Sequence, residues 1–183
     1  MALGFTVQDR TLDLGGVRVE LERGGNGGIT SWALDQIEDV NSIDGLPTEV
    51  VPGPPPPGPE HPNRALGIDH VVVTTPDFDR TAAALAGVGL ELRRIRETGR
   101  GRQGFRRLGP LILELVEVSS GERSEPARFW GLVVVVSDLE ALAERLGEHL
   151  APAKDAVQPG RRIATLRASA GISPAVAFMT PEP

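Results

Sequence analysis

The chain has 183 residues, 25 acidic against 19 basic for a formal charge of −6, and no cysteine. That length supports one domain or two small ones with a real core. The absence of cysteine excludes disulfides, iron–sulfur clusters, thiolate zinc sites and Cys nucleophiles, and the acidic balance argues against a general nucleic-acid binder. No apolar run reaches 18 residues and no basic stretch leads into an apolar one at the N-terminus, so neither a membrane span nor a signal peptide is expected. A cytoplasmic location is the default. Lys154 is the single lysine among the 19 basic residues, which points to a GC-rich, bacterial-style coding bias.

Residues 1–50 read as an acidic β extension with nine acids and three bases. Leu12 and Leu14, then Val17, Val19 and Leu21, alternate with polar neighbours, as half-buried strands do. Gly15-Gly16 between them suits a two-residue hairpin turn or a bulge, and Gly24 to Gly28 a second turn. Ile29 to Leu34 reads as a further strand, while Asp35 to Ile43 is ambiguous. The piece is too short for a large core of its own, so it is expected to add strands to the body or cover its edge.

Residues 51–65 form a Pro-rich linker: seven of the 16 prolines fall between Pro52 and Pro62. Such a run lacks donors and favours polyproline II, which suits a stiff connector better than a partner-binding motif.

Residues 66–183 contain an internal repeat at a shift of 61. Asp69 to Phe78 aligns with Trp130 to Leu139, each a strand that ends at an aspartate opening a helix. Phe78, Ala82 and Leu85 match Leu139, Ala143 and Leu146 on the apolar helix face. Pro76 suits an early helical position, and Ser137 with Glu140 has a capping-box pattern. Three strand-like stretches follow each helix: 89–96, 104–108 and 111–118, then 153–158, 161–168 and 175–180. The fold class is therefore α+β, with two tandem βαβββ modules (66–120 and 128–183) forming a curled mixed sheet around a cleft.

Seven arginines lie between Arg93 and Arg107, with Glu97 as the one acid among them. They suit either an anion-binding loop or a solvated hairpin whose arginines pair with the acidic N-terminal part. Gln158-Pro159-Gly160-Arg161-Arg162 echoes Gln103-Gly104-Phe105-Arg106-Arg107, which suggests one turn used twice. Gly99, Gly101 and Gly104 match a dinucleotide fingerprint in spacing alone, since no helix follows. No G-x-S-x-G element supports a serine hydrolase.

The order IDHVVV, Pro-Asp turn, Ala-rich helix and LELVE resembles the module of the vicinal oxygen chelate superfamily, which includes glyoxalase, bleomycin-resistance, extradiol dioxygenase and methylmalonyl-CoA epimerase types. The resemblance covers about residues 66–183. It implies metal ligands on the first and fourth strands of each module, here His70 and Glu114 in module one. In module two the matching positions are Gly131 and Met179, which offer a hard ion nothing. The resemblance thus leaves a half-site, with one divalent ion as the only cofactor it suggests.

Two functions stand open. One is a small-molecule binding protein of the glyoxalase/bleomycin-resistance type, its cleft lined by His70, Glu114, Trp130, Phe105 and arginines, without an evident metal. The other is a divalent-metal-dependent lyase or isomerase acting on an α-hydroxycarbonyl or acyl-CoA substrate, with Arg107 or Arg162 orienting an anion. In either, His70 and Glu114 are the candidate catalytic pair. Trp32, Phe105, Phe129 and Trp130 are the aromatics able to stack a flat ligand. The expected partner is a small molecule, with no nucleic acid and no membrane, and homodimers are common in such a family.

Overall fold

The structure is a computed structural model and describes residues 3–24 and 27–183. In chain order the elements are β1 (Thr11–Leu14), β2 (Val17–Glu20), β3 (Trp32–Leu34), β4 (Ser42–Ile43), β5 (Leu46–Val50), β6 (Ala65–Thr75) and α1 (Phe78–Gly87). There follow β7 (Arg94–Thr98), β8 (Gly101–Leu108), β9 (Leu111–Glu117), β10 (Arg128–Val136), α2 (Leu139–Leu146), β11 (Lys154–Asp155), β12 (Arg162–Thr165) and β13 (Ala175–Met179). The chain is α+β, with two helices and mixed sheets. Among the described residues no helix is long and apolar enough to cross a membrane.

Two compact units divide the chain: Met1–Gly27, Pro55–Asp69 and Leu132–Pro183 form one, and Gly28–Pro54 with His70–Gly131 form the other. The boundary falls inside β6, between Asp69 and His70, and inside β10, between Gly131 and Leu132.

In the first unit β1 and β2 make a separate antiparallel hairpin, with Leu14 opposite Val17. Gly15 and Gly16 both take positive φ (57° and 86°), as a two-residue hairpin turn requires. A side chain at Gly15 would also put its Cβ 2.6 Å from the Leu66 carbonyl oxygen. Gly25 and Asn26, the centre of the second expected turn, lie outside the described residues. The larger sheet of this unit runs β11, β12, β13, then the C-terminal half of β10 and the N-terminal half of β6. Its core holds Val134, Val136, Leu139, Leu142, Leu146, Phe178 and Met179.

The end of the Pro-rich run is fastened rather than free. His61 is buried, its Nδ1 accepts from the Thr6 N–H at 3.1 Å, and its Nε2 lies 3.0 Å from the Asp13 carbonyl oxygen. A carbonyl only accepts, so Nε2 carries the proton and the ring is the neutral Nε2–H tautomer. Phe5 meets the same ring edge-on.

In the second unit β3, β5 and β4 form a small mixed sheet, β3 parallel and β4 antiparallel to β5. β5, with sequence LPTEV, buries Leu46 and Thr48 and exposes Pro47 and Glu49, although Pro and Glu are poor strand formers. The 1–50 stretch thus forms sheets of its own instead of lengthening those of the modules. Asp44 ties the small sheet to α1: it pairs with Arg80 at 2.8 Å and accepts from the Thr81 hydroxyl. The larger sheet runs from β10 through the C-terminal half of β6 to β9, β8 and β7. β6 and β9 are parallel, and the β8 pairings are antiparallel.

The 61-residue repeat appears in both helix starts, Phe78 and Leu139. The cap is the aspartate in each case: Asp77 accepts from the Arg80 N–H and Asp138 from the Ala141 N–H. Ser137 is therefore not the cap: the helix starts one residue later than a Ser137 cap requires, with Asp138 as its N-cap. The expected twice-used turn is also corrected. Gln103 to Arg107 lies inside β8, whereas Gln158 to Gly160 turns. Gly104 sits mid-strand because α1 packs there, and a Cβ would lie 2.9 Å from the Phe78 ring.

Candidate functional site

Register decides which side chains meet in the second unit. Residues paired across neighbouring strands share a face, and alternate residues change face. His70 is opposite Ile112, and Ile112 is opposite Arg107. Val72 is opposite Glu114, Glu114 opposite Phe105, and Phe105 opposite Arg94. The next rung holds Thr74, Val116, Gln103 and Arg96. These three rungs form one face, and its chemistry is a histidine, a glutamate, an aromatic ring, a glutamine and three arginines.

The opposite face carries Val71, Val73, Leu113 and Leu115, all buried, with Phe78 and Leu85 of α1. This apolar side anchors the strands. The polar side is consequently held by a well-packed layer behind it.

His70 is buried (4% exposed) and Glu114 half-buried. Their rungs are adjacent on neighbouring strands, so they are diagonal neighbours within reach of long side chains. Burial pushes the Glu114 carboxyl up from its ordinary range, while His70 and Arg96 nearby pull it part of the way back. Phe105 bridges the two rungs, its ring edge-on to His70 with centroids 6.5 Å apart.

Sorting by register also sorts the arginines. Arg102 and Arg106 lie on the α1 side. Arg102 is held by Glu117 at 3.0 Å and Asp79 at 2.7 Å, with its guanidinium 4.6 Å from the Phe78 ring centroid. These partners come from within the second unit, as does the Glu91 that pairs with Arg93. Arg94, Arg96 and Arg107 lie on the His70 side, and of these only Arg96 is not exposed. Arg96 Nε donates to Gln103 Oε1 at 2.6 Å, and its guanidinium carbon lies 5.3 Å from the Phe105 ring centroid. Composition singled out neither Arg96 nor Gln103. The signal that selects them is hairpin register, which follows from the turn at Thr98–Gly101.

Arg107 shares the His70 face and is exposed. Trp130 is 55% exposed and alternates along β10 with Phe129, which is half-buried and meets Trp32 edge-on at 5.3 Å. Trp32 in turn donates from Nε1 to the Thr48 hydroxyl. Arg162 belongs to the first unit, where it bonds Glu140 and the Ala153 carbonyl. Its neighbour Arg161 is buried, pairs with Asp69 at 2.8 Å and donates to the Thr180 carbonyl.

The donor set does not fit a divalent ion. Among the described residues no group of three or more His, Asp or Glu side chains is placed to hold one. Gly131 has no side chain to give, and Met179 is a buried thioether in the core of its unit, a soft and weak donor. His70 and Glu114 supply two ligands where a hard ion takes about six.

No family model matches the sequence, and no curated protein matches it significantly. Solved structures do match. A methylmalonyl-CoA epimerase from Mycobacterium tuberculosis is 20% identical, with a TM-score of 0.51 over 66% of this chain and 91% of that one. A selenomethionine methylmalonyl-CoA epimerase is 16% identical, with a TM-score of 0.50 over 63% of this chain and 95% of that one. The chain is therefore structurally similar to methylmalonyl-CoA epimerases, members of the vicinal oxygen chelate (glyoxalase/bleomycin resistance) superfamily. At this identity the likeness is one of fold.

Proposed function

We propose that this chain is a small-molecule binding protein of the glyoxalase/bleomycin-resistance type whose ligand lies on the His70 face of the second unit, without a resident metal ion. The observation that carries this reading is the placement of His70, Phe105 and Glu114 on adjacent rungs of one face, with Phe105 edge-on to the imidazole. A desolvated carboxylate beside an aromatic ring costs stability, and such costs concentrate where a ligand is recognised. Phe105 gives the ligand a flat apolar surface. His70 and Glu114 give it a donor and an acceptor.

The epimerase likeness favours a second reading, an isomerase or lyase acting on an acyl-CoA or α-hydroxycarbonyl substrate. His70 and Glu114 would then serve as general acid and base at the carbon next to the carbonyl. A metal-bound version of that mechanism lacks half its ligands here, so no step is routed through an ion.

Thermal-shift screening of chelator-treated protein against small carboxylates and flat aromatics tests the metal-free binding reading. Compounds that raise the melting temperature of the wild type and lose that effect in Phe105→Ala are expected. Stabilisation by stoichiometric divalent metal, abolished in His70→Ala, would overturn the metal-free reading.

A further inference from the structure

We infer that Arg96 is the anion-recognition residue of the His70 face, that Gln103 is its positioning residue, and that the ligand class is a flat or apolar molecule ending in a carboxylate. This rests on the reading that the face binds a small molecule, and adds to it the residue that selects the ligand.

Five arginines lie on β7 and β8, at 94, 96, 102, 106 and 107. Arg102 is committed to Glu117 and Asp79. Arg106 faces α1 and donates to the Gly89 carbonyl. Arg94 and Arg107 are exposed, where an ion pair is screened and gains little. Arg96 is the single residue of β7 that is not exposed.

Arg96 is also oriented. Its Nε is spent on Gln103 Oε1, directly across the hairpin rung, and its planar head lies against the Phe105 ring. Two contacts from different directions fix the guanidinium and leave both Nη groups uncommitted among the described residues. A pair of Nη donors in one plane matches the two oxygens of a carboxylate. Glu114 lies on the neighbouring rung of the same face, and a carboxylate there opposes a phosphate dianion more than a monoanion, which favours a carboxylate ligand. Phe105, already against Arg96, provides the surface for the body of such a ligand.

Benzoate and its neutral isostere benzamide test this on the full chain, with binding followed by the NMR shifts of the Phe105 amide and the Arg96 Nε–H. Wild type is expected to bind benzoate about tenfold tighter than benzamide, and Arg96→Gln to bind them equally. Arg96→Lys should fall between, because it keeps the charge and loses the fork. Gln103→Ala should lower the benzoate preference severalfold at an unchanged melting temperature and shift the Arg96 Nε–H, which a purely structural role would not do. Equal binding of the two compounds by wild type, or an undiminished benzoate preference in Arg96→Gln, would overturn the inference. Absence of benzoate binding, with Phe105-dependent hits still found by thermal shift, overturns it while leaving the binding-face reading intact.

Discussion

Phe105 and Glu114 are register partners across β8 and β9, so an aromatic ring and a half-buried carboxyl occupy one rung of the same sheet face. That pairing is unfavourable for the fold alone. Replacing Glu114 with Gln removes a charge that burial disfavours. The expected result is unchanged or increased stability at neutral pH, by up to about 1 kcal/mol in urea titration, together with weaker ligand binding. A loss above that size would show that Glu114 is a structural residue.

Asp44 joins the small sheet to α1 through Arg80 and Thr81, and its side chain is only 10% exposed. The single Thr81 hydroxyl proton goes to Asp44, so at 2.7 Å the Thr75 hydroxyl donates to Thr81 and the carboxylate completes a buried polar network. Asp44→Ala leaves a partly buried guanidinium short of a partner and should cost about 2–3 kcal/mol by chemical denaturation. A cost below about 0.5 kcal/mol would contradict that role.

Arg102 holds the carboxyls of Glu117 and Asp79 below their usual range, mainly through side-chain hydrogen bonds. Groups whose folded pKa is depressed contribute stability that is full above the unfolded value and fades as the pH falls through the folded one. Acid should therefore weaken the second unit progressively below about pH 4, where free carboxyls titrate. Arg102→Met is expected to flatten this dependence between about pH 5 and 3 while lowering stability at pH 7. An unchanged slope would remove the pair from the acid response.

His61 fastens the N-terminal segment, since its ring accepts from the Thr6 amide and donates to the Asp13 carbonyl. His61→Ala should cost about 2 kcal/mol and speed hydrogen exchange at the Thr6 amide by an order of magnitude or more. Exchange at Thr6 that stays as slow as in wild type would refute the assignment.

Much of the architecture was legible because it rests on local chemistry. The repeat placed Phe78 and Leu139 at the helix starts, and Gly15-Gly16 marked the first hairpin. β5 is hard to read because Pro47 and Glu49, though they alternate with buried Leu46 and Thr48, are poor strand formers, and its pairing with β3 and β4 is non-local. The N-terminal half of β8 was hidden by Gly101, Arg102 and Gly104, which are poor strand formers held there by neighbours. Of the proposed site, His70, Glu114 and Phe105 stand out by type and motif, whereas Arg96 needs the register that opposes it to Gln103. A one-residue slip would have turned Arg96 to the other face.

If the His70 face holds a small carboxylate without a metal, a crystal structure of chelator-treated protein soaked with benzoate will show it. Density is expected over the Phe105 ring, with the carboxylate at hydrogen-bond distance from the Arg96 Nη groups. Benzoate bound away from Phe105 and Arg96, or a divalent ion retained between His70 and Glu114 after chelation, would contradict it.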